Sequence, residues 1–207
     1  MTNFTLRPDE IEKRSFEIIT KELGDRTFPA ERADIIKRVI HTTADFDYAD
    51  NLVFSENAVT DALDALKRGA HIITDTNMAL SGINKAALAK LGCTAQCFMA
   101  DSDVAAEAKS RGITRAAVSM ERAAALDGEL IFAVGNAPTA LLRLCELYAE
   151  EKVSPVLVVG VPVGFVNVVE AKEMLISSGM PYIAARGRKG GSNVAAAVIN
   201  ALMYKLT

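Results

Sequence analysis

Apolar positions recur along this chain in two rhythms, one suited to strands and one to helices. Leu130-Ile131-Phe132-Ala133-Val134 and Val156-Leu157-Val158-Val159 are uniformly apolar, as strands covered on both faces are. Together with shorter runs they predict strands at 70–74, 93–98, 115–120, 130–134, 156–161 and 182–185. Between them apolar residues return every three or four positions. Ala58, Val59, Ala62, Leu63 and Leu66 form one stripe. Leu141, Leu144, Cys145 and Tyr148 form a second, and Val194, Ala197, Val198, Ala201 and Leu202 a third. That spacing keeps side chains on one helical face. Two further helices, at 8–23 and 30–40, precede the first clear strand. Strands alternating with helices predict an α/β fold: a single three-layer domain whose mainly parallel sheet is flanked by helices, with two additional N-terminal helices. No internal repeat, low-complexity tract or linker divides the chain.

Composition narrows the function classes. The 207 residues suffice for a continuous core without disulfides or a structural metal. Half are hydrophobic and 24% charged, so disorder is excluded. A net charge of -3, a pI near 5.5 and no tryptophan argue against a nucleic-acid partner, which calls for a basic face or stacking platforms. Cys93, Cys97 and Cys145 read as free thiols of a reducing, cytoplasmic setting. Cys93 and Cys97 fall on one face of the expected 93–98 strand, where core packing explains them better than half a zinc set. Residues 1–8 are polar and lack the apolar run of a signal peptide, and no stretch is long enough to span a bilayer.

Candidate chemistry gathers at the ends of these elements. The chain has two histidines. His41 closes the second helix in Arg38-Val39-Ile40-His41-Thr42-Thr43-Ala44-Asp45-Phe46-Asp47. Imidazole titrates near neutrality and suits proton transfer, although a histidine at a helix C-terminus also serves as a simple cap. His71, at the start of a strand, reads as a structural histidine. Ligands of such sheets sit beyond the strands' carboxyl ends. The loops there are polar and glycine-rich: Asp75-Thr76-Asn77-Met78, Gly135-Asn136-Ala137-Pro138-Thr139, Gly160-Val161-Pro162-Val163-Gly164 and Arg186-Gly187-Arg188-Lys189-Gly190-Gly191-Ser192. Asn136 is a good N-cap, and the amides around it would either form an anion site or simply begin a helix. Arg186, Arg188 and Lys189 would grip a carboxylate or phosphate, or else form a solvated basic turn. Neither a Gly-x-x-x-x-Gly-Lys-Ser/Thr run nor a Gly-x-Gly-x-x-Gly fingerprint is present, so a nucleotide yields to a polycarboxylate. No Gly-x-Ser-x-Gly elbow or metal-ligand array supports hydrolysis.

In this setting the chain resembles the precorrin-8X methylmutase family of corrin biosynthesis, including its cobalt-precorrin-8 branch. The resemblance rests on an ordered set: Ile11-Glu12-Lys13-Arg14-Ser15-Phe16; Arg38-Val39-Ile40-His41 with Asp45-Phe46; and Asp75-Thr76-Asn77-Met78 with Gly82-Ile83. It continues with Gly135 through Leu141, then Val159 through Phe165, and finally Arg186 through Ser192. It implies a methylmutase-like domain over 1–207, a methyl shift from carbon 11 to carbon 12 of a corrin ring, no cofactor of its own, and a homodimer. Any cobalt belongs to the substrate. The family's catalytic histidine falls on His41, its substrate-binding serine on Ser15, and the arginine preceding the histidine on Arg38. For the substrate's many carboxylates Arg14, Arg115, Arg186 and Arg188 are the expected cations. Thr43, Thr76 and Asn136 add polar contacts, and Met78, Val163 and Phe165 an apolar cover. A non-catalytic corrinoid carrier is the rival reading; it would need the anion loops without a titratable His41.

Overall fold

A computed structural model describes residues 7–207, leaving most of the polar opening segment outside the described residues. The strands are β1 (Leu52–Phe54), β2 (His71–Thr74), β3 (Thr94–Gln96), β4 (Leu130–Val134), β5 (Leu157–Gly160) and β6 (Tyr182–Ala185). They form one sheet in the order β1-β6-β5-β4-β2-β3, parallel throughout except for β1, which runs antiparallel to β6.

Side-chain alternation assigns each strand residue to a layer. Ile131 and Ala133 join one buried cluster, while Leu130, Phe132 and Val134 join the other. The first cluster is closed by α1 (Pro8–Leu23), α2 (Ala30–Thr43), α4 (Ala58–Lys67), α5 (Asn77–Gly82), α6 (Lys85–Leu91) and α11 (Ser192–Tyr204). The second is closed by α8 (Arg115–Ala124), α9 (Pro138–Ala149) and α10 (Val168–Ser177). α3 (Tyr48–Asn51) adds Tyr48 and Ala49 to the first cluster, and α7 (Ser102–Arg111) packs on α8 through a small third cluster of Val104, Ala108 and Val118. α11 is buried along nearly its whole length and packs on both α2 and α5. The three-layer expectation therefore holds.

Three assignments differ. Leu52–Phe54, outside every expected strand, pairs antiparallel with β6 as the edge strand β1. Residues 115–120, expected as a strand, form the first turns of α8. Thr114 caps that helix by accepting from the Ala117 amide, and Ala116, Met120 and Ala123 are buried at helical spacing. The run is too short for its β-compatible residues to separate the two periods. The 93–98 strand shrinks to Thr94–Gln96, so Cys93 and Cys97 flank β3 rather than share its face. Cys93 is buried and its thiol donates to the Leu66 carbonyl at 3.2 Å, in keeping with a packing role.

Strand order reverses between β2 and β4, because β3 lies outside β2 while β5 and β6 extend beyond β4. At such a point the loops leave in opposite directions and open a crevice, the usual ligand position in these sheets.

Candidate functional site

The crevice is filled from within. Asp75, directly after β2, is fully buried, and its carboxylate accepts the amides of Gly135 at 2.9 Å, Asn136 at 2.8 Å and Ala137 at 2.6 Å. Burial, the largest influence, pushes the Asp75 carboxyl above its ordinary range against the pull of those donors. The amides expected to bind an external anion are thus already occupied. Nor does Asn136 cap the next helix: Ala137 holds the N-cap position and Asn136 is exposed. Gly135 is required here, because a Cβ would lie 2.7 Å from the Cα of Ser192, where α11 begins. Thr76 completes this junction. Its hydroxyl caps α5 through the Ala79 amide and meets the Ser192 hydroxyl at 2.7 Å.

His41 occupies a different opening. It is an exposed residue in the last turn of α2, and the helix stops at Ala44 in the left-handed conformation (φ 53°, ψ 29°), which alanine rarely adopts. The imidazole stacks on Phe16 of α1, ring centres 5.3 Å apart and planes inclined by 28°. Arg38 lies one turn earlier, its guanidinium 4.7 Å from the Phe16 ring centre and 5.1 Å from that of Tyr204, and it is paired with Glu12. Such cation–ring contacts hold a long side chain in place. Ile11, Glu12, Arg38, His41, Asn84 and Tyr204 line an open cleft of about 760 Å³. Asn84 donates to the Tyr204 hydroxyl at 3.0 Å. Ser15 is half-buried on the α2-facing side of α1, next to Phe16, with its hydroxyl donating to the Ile11 carbonyl. Thr43 donates to the Val39 carbonyl and accepts from the Asp45 amide, which shapes the exit from α2.

Arg14 does not join this group. Its position is nearly opposite Phe16 around α1, and it is exposed and paired with Glu17 at 3.0 Å. Arg115 heads α8 in the other helical layer, donating to the Met99 carbonyl. Met78 is 72% exposed on α5.

The third group is the loop from β6 to α11. Arg186 pairs with Glu173, and Lys189 bridges Asp45 and Asp47, both at 2.6 Å, which ties the loop to the turn after His41. That pairing holds Asp45 below its usual range. Arg188 has no carboxylate partner among the described residues and lies over the exposed Phe165 ring at 5.3 Å. Gly190 has no room for a side chain, since a Cβ would meet the Val161 carbonyl oxygen at 2.1 Å.

Beneath this loop lies Lys172, a fully buried residue of α10 that no sequence motif singled out. A signal was present, for Lys172 falls in the otherwise apolar stripe of Val168, Ala171 and Leu175. Asp75 had a comparable one, a carboxylate directly after the apolar pair Ile72-Ile73 and Thr74. Phe16 stood in the 11–16 motif without a role of its own, and Tyr204 carried no signal, as aromatic residues on amphipathic helices are ordinary. His71 bonds Thr94 through Nδ1 at 2.6 Å and opens β2, at the opposite end of that strand from Asp75 and Thr76. Among the described residues no three His, Cys, Asp or Glu side chains converge as a metal-ligand set, and no helix is long and apolar enough to cross a membrane.

Comparison with known proteins gives this arrangement a lineage. Residues 10–205 match the family model described as CbiC, precorrin-8X methylmutase. The cobalt-precorrin-8 methylmutase of Salmonella typhimurium is 48% identical, over 99% of this chain and 98% of its own. The precorrin-8X methylmutase of Pseudomonas aeruginosa is 40% identical over 93% of each chain. The crystal structure of precorrin-8x methyl mutase from Thermus thermophilus superposes with a TM-score of 0.87 at 41% identity, covering 94% of both chains. With the family model spanning nearly the whole sequence and the fold shared, this chain belongs to the precorrin-8X methylmutase family.

Proposed function

We propose that the protein is an isomerase of cobalamin biosynthesis that moves a methyl group from carbon 11 to carbon 12 of precorrin-8X or its cobalt form, with His41 as the proton donor and acceptor. The rearrangement is intramolecular, so no external methyl carrier or hydride cofactor enters it. Protonating a ring nitrogen near the migrating group withdraws electron density from the conjugated system and lowers the barrier. His41 then recovers the proton as product forms. The observation that carries this reading is the imidazole itself, stacked on Phe16 in an open cleft beside a clamped arginine. Stacking limits the ring's tumbling while leaving it exposed to a ligand.

Arg38 lines the His41 cleft and Ser15 stands one turn along α1 from its wall at Ile11, while Arg188, Arg186, Arg115, Thr76, Asn136 and Met78 serve the periphery of a large anionic ring. Arg14 adds an exposed cation on α1, one turn from Ile11 of the cleft wall. General acid catalysis contributes roughly a hundred- to ten-thousand-fold, or about 3–5 kcal/mol of barrier. His41→Ala is therefore expected to lower kcat at least about a hundredfold while circular dichroism and corrinoid binding stay unchanged. Formation of the orange product is followed by absorbance. Turnover at the parental rate would remove the proton role, and a spectral shift on binding without turnover by the parent would mark a corrinoid carrier instead.

The proposal extends to a cytoplasmic homodimer. Exposed Phe165 and Val166 on one loop support a self-association surface, which sedimentation equilibrium tests directly.

A further inference from the structure

A lysine buried without a carboxylate partner is rare in a protein core, because the ammonium surrenders its hydration. Lys172 is such a residue among those described: its side chain is 0% exposed and no acid lies within ion-pair distance. Its Nζ donates to two main-chain carbonyls, Gly187 at 2.9 Å and Lys189 at 2.7 Å. The carbonyl between them, that of Arg188, accepts the Gly164 amide at 3.2 Å. Three successive carbonyl oxygens of the β6–α11 loop are thereby engaged by donors within the protein. The side chains of Arg186, Arg188 and Lys189 are exposed. Further ties brace the same loop, from the Gly191 amide to the Val161 carbonyl and from the Arg186 amide to the Asn51 carbonyl.

We infer that Lys172 is a positioning residue for substrate carboxylates, drawing the loop's carbonyl oxygens inward so that Arg188 presents an anion with donors and no competing acceptors. Carbonyl dipoles turned toward a carboxylate would repel it. An apolar residue at 172 would leave the two oxygens unpaired and free to rotate outward. The burial of the amine, which pushes its pKa down to about 8, marks how far the fold goes to place a donor there. Lys172 touches no substrate in this account and acts through Arg188. The inference rests on the reading of the loop as a carboxylate site.

Steady-state kinetics on Lys172→Met, Lys172→Gln, Arg188→Ala and the Lys172→Met/Arg188→Ala pair test it, with the corrin substrate and with salt held constant. Lys172→Met is expected to raise KM about tenfold with kcat within about twofold, the signature of lost uniform binding. Lys172→Gln keeps an N–H donor and should restore most of the affinity. In the Arg188→Ala background Lys172→Met should add little, since the arginine through which it acts is gone. If Arg188→Ala raises KM but Lys172→Met does not, the positioning role is overturned and the loop remains a carboxylate site. An Arg188→Ala variant with parental KM overturns the carboxylate site itself, and the role of Lys172 with it. Additive effects, a loss in kcat alone, or a Gln variant as impaired as Met also overturn positioning by hydrogen bonds. Should the Met variant fail to fold, Lys172→Gln decides: it is expected to give a KM near the parental value and non-additivity with Arg188→Ala, and a KM raised as far as that of Arg188→Ala overturns the role.

Discussion

The β4–α9 loop at 135–137 and the β6–α11 loop at 186–191 stand at the same edge of the sheet, and each follows a buried strand and leads to a helix. What differs is the charge buried behind them. Behind the first is the Asp75 carboxylate, which takes three backbone N–H groups. Behind the second is the Lys172 ammonium, which takes two backbone carbonyls. An internal anion uses up donors and closes its loop to external anions. An internal cation uses up acceptors, and of the loop's cationic side chains Arg188 alone stands without a carboxylate partner among the described residues. Two segments that look alike in sequence as glycine-bearing turns after strands therefore acquire opposite roles from one buried side chain each.

Removing Asp75 should give the largest effect. Asp75→Ala strands three amides in a buried junction, at about 1–3 kcal/mol for each unmet group, so a loss of at least about 3 kcal/mol is expected in chemical denaturation. A stability within about 0.5 kcal/mol of the parent would mean that water satisfies those amides and that the two loops are alike after all.

Lys172 predicts a pH dependence of the opposite sense to an ion pair. Its folded pKa of about 8 lies below the ordinary 10.5, so between those values the unfolded chain holds a proton that the folded chain has released. Stability therefore rises with pH across that window, and the full cost of the buried charge is felt below it. The parent should gain on the order of 2–3 kcal/mol relative to Lys172→Met between about pH 7.5 and about pH 10.5, read from urea melts. Parallel pH profiles would show an amine that is solvated rather than buried.

The ligand-facing consequence is smaller. Arg188→Ala should raise KM about tenfold at low salt, or about 1.4 kcal/mol, and less as ionic strength increases. A salt-independent change would place Arg188 outside the site. Smallest of all is Asn136→Ala, expected to alter KM by less than about twofold, because the amides that would have joined its side chain in holding an anion are taken. An Asn136 effect equal to that of Arg188 would erase the distinction between the loops.

How much of this was legible beforehand varies with the distance over which each feature is decided. The uniformly apolar 130–134 and 156–159 runs announced central parallel strands, and β4 and β5 are indeed buried at every position. The 115–120 run misled because six residues sample both periods. It took the Thr114 cap and the packing of Ala116, Met120 and Ala123 to make it helical. At the site, the ordered motifs brought Arg38, His41 and Ser15 to attention, and the structure sets Arg38 and His41 against the Phe16 ring, with Ser15 beside it along α1. Arg14, adjacent to Ser15 along the helix, projects about 100° away from it and pairs with Glu17, a direction that the motif alone did not specify.

From the sequence alone came the layered α/β architecture, the family, and the residue types on which the chemistry turns, all of them written into local periodicity and short ordered motifs. Tertiary structure decided which loop has its amides taken and which its carbonyls. Asp75 meets Gly135 sixty positions away, and Lys172 reaches carbonyls fifteen and seventeen positions on. A side chain's period records which way it points from its own element. The sign of charge buried beneath a loop depends on what another element delivers there, and no single segment carries that information.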